Sequence, residues 1–126
     1  MKKDELVLST LGKTWLIDLD GTVVKHNGHM TDGYDTFLPG AEEFLKSIPE
    51  DDILIILTAR KEEYRKRTLS FLEENGIAYD HLIFNLPAGE RILVNDIKPK
   101  GLKTAVAMNI ERDKGIDFSY REDVAL

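Results

Sequence analysis

Two aspartates close an apolar run in the segment WLIDLDGT, residues 15–22. Asp18 and Asp20 are two positions apart, so on a continuing strand their side chains leave the same face. Like charges that close are costly unless a cation or a shared proton compensates them. Gly21 lets the backbone turn sharply or approach a ligand closely, and Thr22 offers a hydroxyl to the turn. An isolated Asp-x-Asp reads first as an acidic turn after a strand. A buried apolar run ending in Asp-Leu-Asp-Gly-Thr is much more specific.

Two further segments put polar groups behind apolar runs. In ILIILTAR, residues 53–60, a strand ends in the Thr58 hydroxyl and a helix is expected just beyond. Alone, Thr58 reads first as a helix N-cap, but a hydroxyl beside fresh helix N–H groups is also a natural phosphate site. Ala59 and Arg60 follow it, and with Gly21 and Thr22 they are the candidate substrate-contact positions. In RILVNDIKPKG, residues 91–101, a run ends at Asp96, with Lys98 two residues on. Alone, that is a mixed-charge surface loop. Together the three segments suit an open α/β sheet, which binds ligands beyond the carboxyl ends of its strands. Asp18, Asp20 and Asp96 then offer hard oxygen ligands to Mg²⁺, while Thr58 and Lys98 offer a hydroxyl and a cation to phosphate oxygens.

The elements that must hold these residues alternate between strand and helix, which predicts an α/β fold with a mostly parallel, Rossmann-like sheet flanked by helices. Strands are expected at residues 14–19, 53–57, 81–84 and 91–95. Residues 104–110 alternate at Thr104, Val106, Met108 and Ile110 and are read as strand over helix. Helices are expected from Pro39 to about Ser47, with Ala41, Phe44, Leu45 and Ile48 inward, and over residues 62–74, closed by Gly76. Asn27-Gly28, a favoured type I′ pair, centres a short flap hairpin in residues 22–31. Trp15 is expected in the core and His81 in a structural role. His26 and His29 flank the turn and are candidates to meet substrate.

With 126 residues, the chain fits a single domain over residues 1–126. A net charge of −6 argues against nucleic acid as a partner, and the basic cluster at residues 61–67 is interleaved with glutamates. Absence of cysteine excludes disulfides and thiolate metal sites. No apolar run reaches the roughly 18 residues of a membrane span, and the N-terminus lacks the apolar stretch of a secretory leader. The default compartment is the cytoplasm.

With its motifs in this order across residues 15–101, the chain resembles the haloacid dehalogenase superfamily of phosphohydrolases. WLIDLDGT is similar to that family's first motif, ILIILT to its second and VND to its fourth. The resemblance implies that Asp18 attacks phosphorus. Asp20 then protonates the leaving group and activates the water that hydrolyses the aspartyl-phosphate. It further implies Mg²⁺ held by the Asp18 carboxylate, the Asp20 backbone carbonyl and Asp96, with Thr58 on the transferring phosphoryl group.

Two departures stand out. Asn95 occupies the place where the fourth motif often carries an acid. No lysine lies between Lys66 and Lys98, where the third motif keeps one; Lys98 is the favoured substitute, with Arg91 and Arg60 as alternatives. The short spacings leave no room for a cap domain. Capless relatives act on large phosphorylated substrates or borrow a lid from a neighbouring subunit, which makes a homo-oligomer a candidate assembly. Several serve polysaccharide and sugar-phosphate pathways, so a phosphorylated small molecule, such as a sugar phosphate, is the other candidate substrate. The rival readings are a phospho-acceptor signalling domain, whose acids run in a different order, and a catalytically silent binding domain.

Overall fold

The run ILIIL builds the middle of a sheet. In the computed structural model, which describes residues 4–126, five strands form: β1 (Asp4–Leu8), β2 (Thr14–Asp18), β3 (Ile53–Leu57), β4 (His81–Ile83) and β5 (Phe118–Glu122). Lys2 and Lys3, which belong to the stretch read against a leader, lie outside the described residues. β3 lies between β2 and β4, parallel to both, with Asp18 opposite Leu57 and Leu57 opposite Ile83. Leu54 and Ile56 are buried, while Ile55 and Leu57 on the other face are only half covered. No helix among the described residues is long and apolar enough to cross a membrane.

β1 and β5 form a second, two-stranded parallel sheet, with Asp4 opposite Phe118 and Leu8 opposite Glu122. Neither strand was anticipated. Phe118 and Tyr120 point inward to the Phe44 ring, 5.2 and 6.3 Å away, and Tyr120 also lies 5.0 Å from Trp15. Trp15 is half-buried, and its indole N–H donates to Asp52 Oδ2 at 3.0 Å. One buried cluster thus takes Ile17, Leu54 and Ile56 from the first sheet, Phe118 from the second and Phe44 and Leu72 from the helices.

Among the described residues three helices flank the strands: α1 (Gly28–Thr31), α2 (Ala41–Ser47) and α3 (Arg65–Glu74), the last preceded by a 3₁₀ turn at Glu62–Tyr64. The inward face of α2 is the expected one: Ala41, Phe44 and Leu45 are buried and Ile48 packs on the cluster. Gly76, at φ 69°, closes α3 while the Ile77 N–H donates to the Leu72 carbonyl at 2.9 Å. Gly115 is required by a close approach, because a Cβ there would meet the Pro39 carbonyl oxygen at 2.1 Å. That contact and the Ile116 N–H to Pro39 O bond (3.0 Å) tie the C-terminal segment to the entry of α2. No inserted cap domain is evident among the described residues.

Three expected elements take other forms. The Asn27-Gly28 flap is not a hairpin. Asn27 is left-handed (φ 59°), as a type I′ turn requires, but Gly28 does not share that conformation. The Asn27 carbonyl instead accepts the N–H groups of Met30 and Thr31 at 3.0 and 2.9 Å and opens α1. Only single bridges, Asp20 to Val24 and Val24 to Phe37, mark strand pairing there. Residues 91–95 are not a strand: Ile92 and Val94 are 85% and 87% exposed. A β-branched run gains its stability from cross-strand neighbours, and this one pairs with none among the described residues. Residues 104–110 keep their alternation, with Thr104, Met108 and Ile110 half-buried, but join no ladder among the described residues.

Candidate active site

The carboxyl end of β2 turns around one carbonyl. The Leu19 N–H extends the ladder to Leu57 O, and the Leu19 carbonyl accepts the N–H groups of Val23 and Val24 at 2.9 and 3.1 Å. Gly21, at φ 85°, makes that turn possible, and its N–H donates to Val24 O at 2.7 Å. The result is a pocket of about 300 Å³ lined by Asp18, Asp20, Gly21, Thr22, Ile110 and Arg112. The two acids and the two residues following Asp20 therefore share one cavity.

The two carboxylates meet different surroundings. Asp18 is 35% exposed at its side chain. Its Oδ2 accepts from the Thr22 hydroxyl at 3.0 Å, and its Oδ1 accepts from Arg91 Nη1 at 2.6 Å. Asp20 is 15% exposed. Its Oδ2 accepts from the Thr58 hydroxyl at 2.7 Å, and its Oδ1 accepts from Arg60 Nε at 2.9 Å. Both oxygens of Asp20 are thus held by the end of β3 and the loop after it.

Thr58 is fully buried. It does not cap a helix, because the 3₁₀ turn begins only at Glu62, after Lys61. Its hydroxyl oxygen accepts the Arg60 N–H at 3.0 Å, a local Ser/Thr-type turn, and its proton is directed at Asp20. Ala59 is exposed. The Arg60 side chain is only 2% exposed and does not line the pocket. Nη1 donates to Asp35 Oδ2 at 3.1 Å and to Thr68 Oγ1 at 2.8 Å, and Nη2 donates to Asp35 Oδ1 at 2.7 Å. Burial opposes the charge on Arg60. The hydrogen bonds to Asp35 and the charge and hydrogen bond of Asp20 outweigh it, so the guanidinium pKa lies above its ordinary value.

Lys98 and Asp96 are not gathered at the pocket. Both lie in the exposed segment, where the Lys98 N–H donates to Leu102 O and the Thr104 hydroxyl donates to Asp96 O. Among the described residues no set of three or more His, Cys, Asp or Glu side chains is grouped around a metal position. His29 is buried edge-on to Tyr64, 4.8 Å between ring centroids. Burial first, then the nearby charge of Arg60, hold its pKa below the usual imidazole value. Neither His26 nor His29 lines the pocket, and His81 is exposed.

Arg112, Asp113, Asp35 and Thr68 are not site residues in the sequence reading. Arg112 forms one wall, its stem packed against Gly21. The neighbouring Asp113 anchors it, donating its N–H to Gly21 O at 2.9 Å and accepting the His26 N–H at 2.8 Å. Asp35 sits in a Gly- and Pro-bounded loop, 25 positions from the arginine it pairs with. No local spacing links the two.

A family model described as NLI interacting factor-like phosphatase matches residues 13–95. That range holds Asp18, Asp20, Thr58, Arg60 and Arg91 and stops short of Asp96, Lys98 and Arg112. The chain is also similar to a chain of the solved structure "Structure of Pnkp1/Rnl/Hen1 complex", at 29% identity and a TM-score of 0.51. That likeness covers 66% of this chain and 31% of the other, so this chain spans about a third of its length. No curated protein matches the chain.

Proposed function

The chain belongs to the NLI interacting factor-like phosphatase family, a haloacid-dehalogenase-like family; from that premise we propose that it hydrolyses phosphate monoesters through an aspartyl-phosphate on Asp18, with Mg²⁺. The observation that carries this reading is the contrast between two carboxylates on one pocket. Asp18 opens to the cavity and pairs with Arg91, whereas Asp20 is tied down by Thr58 and Arg60. Two acids in different environments are suited to different roles.

Asp18 attacks phosphorus, oriented by the Thr22 hydroxyl on its Oδ2. Asp20, which must carry a proton on one of the two oxygens that Thr58 and Arg60 engage, gives it to the leaving oxygen and then regains one from the attacking water. Covalent catalysis of this kind divides one hard displacement into two easier ones. Arg112 lines the pocket, which suits an anionic group. A phosphorylated small molecule such as a sugar phosphate fits a cavity of about 300 Å³; a larger substrate would present only its phosphate.

The two acids that line the pocket carry donors that fit Mg²⁺ in kind. Asp18 would supply its carboxylate and Asp20 its backbone carbonyl, both hard oxygens, and Mg²⁺ commonly takes only one or two carboxylates and completes its shell with water and phosphate. Asp96, the third ligand the resemblance implies, does not line the pocket, so the fit rests on Asp18 and Asp20. When bound, the ion would screen Asp18 from the anionic substrate. Hydrolysis of p-nitrophenyl phosphate is expected to vanish in EDTA and return with added Mg²⁺. Undiminished turnover in EDTA would reject the metal requirement.

Arg91 is the cation in contact with Asp18, while Lys98 makes no side-chain hydrogen bond or ion pair among the described residues. That supports Arg91 in the charge-offsetting role for which Lys98 was the favoured residue. A preorganised charge at the reacting group is worth on the order of 10²–10³ in kcat. Arg91→Ala is therefore expected to lose about that much, with Lys98→Ala near wild type. The reverse ranking in parallel kcat measurements would return the role to Lys98.

A further inference from the structure

The geometry points to Asp35 as a positioning residue for Asp20, acting through Arg60. The Asp35 side chain is 2% exposed and does not line the pocket, so it cannot touch the substrate. It grips the guanidinium with both oxygens, at 2.7 and 3.1 Å. Such a two-point pairing fixes the plane of the guanidinium as well as its place. Thr68 on α3 supplies a third anchor. Its hydroxyl is buried, accepts from Arg60 Nη1 at 2.8 Å and donates to the Tyr64 carbonyl at 2.8 Å.

With those anchors in place, the free edge of the guanidinium has one remaining partner. Nε donates to Asp20 Oδ1 at 2.9 Å, and Nη2 lies 2.9 Å from the same oxygen. The Thr58 hydroxyl holds the other oxygen. Asp20 therefore has little freedom to rotate, and its orientation follows from where Asp35 puts Arg60. A group that transfers a proton must lie within hydrogen-bond reach of the reacting oxygen, and small misplacements at a reacting centre are costly. Arg60 is thereby assigned to orientation of the acid rather than to substrate contact.

This inference rests on the reading of Asp20 as acid and base, so its test carries its own control. The whole chain is used, as wild type and as Asp35→Asn, Asp35→Glu and Asp20→Asn. kcat/KM is measured on p-nitrophenyl phosphate, whose leaving group needs no proton, and on a primary alkyl phosphate, whose leaving group does. This parameter reports the steps up to phosphorylation of Asp18, so later hydrolysis does not mask the comparison. Inorganic phosphate as a competitive inhibitor reports the integrity of the pocket.

Asp35→Asn is expected to lose about 10- to 100-fold on the alkyl ester, part of the value of a positioned acid, and much less on the aryl ester. Phosphate inhibition should stay near wild type. Asp35→Glu keeps the charge on a longer arm and should show the same selectivity; it decides the matter if Asp35→Asn does not fold. Equal losses on both esters, or no loss in a folded variant, would reduce Asp35 to a structural counter-ion and overturn the inference. If Asp20→Asn itself fails to discriminate between the esters, the acid assignment falls and the role of Asp35 falls with it. If Asp20→Asn discriminates and the Asp35 variants do not, only the inference about Asp35 is lost.

Discussion

Asp18→Asn is expected to lower kcat by about 10⁴-fold or more, the scale on which loss of a covalent nucleophile acts, with the fold retained. The amide is nearly isosteric but is not a nucleophile toward phosphorus. It also cannot balance Arg91, whose guanidinium now lies 2.6 Å from the carboxylate. The stability cost should be small. The Asp18–Arg91 pair is more than a third exposed on both sides, and pairs of that kind contribute about 0–1 kcal/mol. The Thr22 hydroxyl can still donate to the amide oxygen. kcat on p-nitrophenyl phosphate, read beside a thermal melt, checks both halves of the expectation. Near wild-type turnover in a folded Asp18→Asn protein would end the aspartyl-phosphate mechanism, whatever the status of the metal.

Asp20→Asn comes next in size, at about 10²–10⁴-fold, the usual worth of a positioned acid or base. Two separate steps need this residue, so the loss divides by substrate. Phosphorylation of Asp18 by a good leaving group needs no proton, so a burst of nitrophenol should survive in Asp20→Asn while steady turnover falls. An alkyl phosphate should show neither. Unlike Asp18, this residue is held by a buried arginine, so the substitution also leaves Arg60 with one fewer anionic partner. Asp35 still balances the charge, and the Asn oxygen can take the Nε hydrogen bond, so folding is expected to survive. A variant that loses burst and steady state alike on the aryl ester would show that Asp20 serves something other than proton transfer.

Much of what positions the site was legible in the chain. β2, β3, β4 and the inward face of α2 follow from short-range apolar pattern, which local backbone preference and burial translate directly into structure. The pair Asp18 and Asp20 could be placed in one cavity because a strand end and a glycine turn leave them few other arrangements. The parallel sheet was legible for a similar reason, since an uninterrupted ILIIL run is stable only between neighbours.

The rest depended on contacts that no local window contains. β1 and β5 lie at opposite ends of the chain, and each looks marginal until the other supplies its ladder. Residues 91–95 have every local mark of a strand and remain exposed because none of the described residues pairs with them. Asn27 takes the backbone angle that its turn signal predicts, and α1 still replaces the hairpin, because the Asn27 carbonyl receives helical N–H groups instead of cross-strand ones. The orientation of Asp20 belongs to the same class. Asp35, Arg60 and Thr68 come from a loop, the segment after β3 and a helix, and only the folded chain brings Asp35 and Thr68 within 3.1 Å of Arg60. Local pattern states which conformation a segment prefers; the partner that completes a strand or neutralises a buried charge is a property of the whole fold.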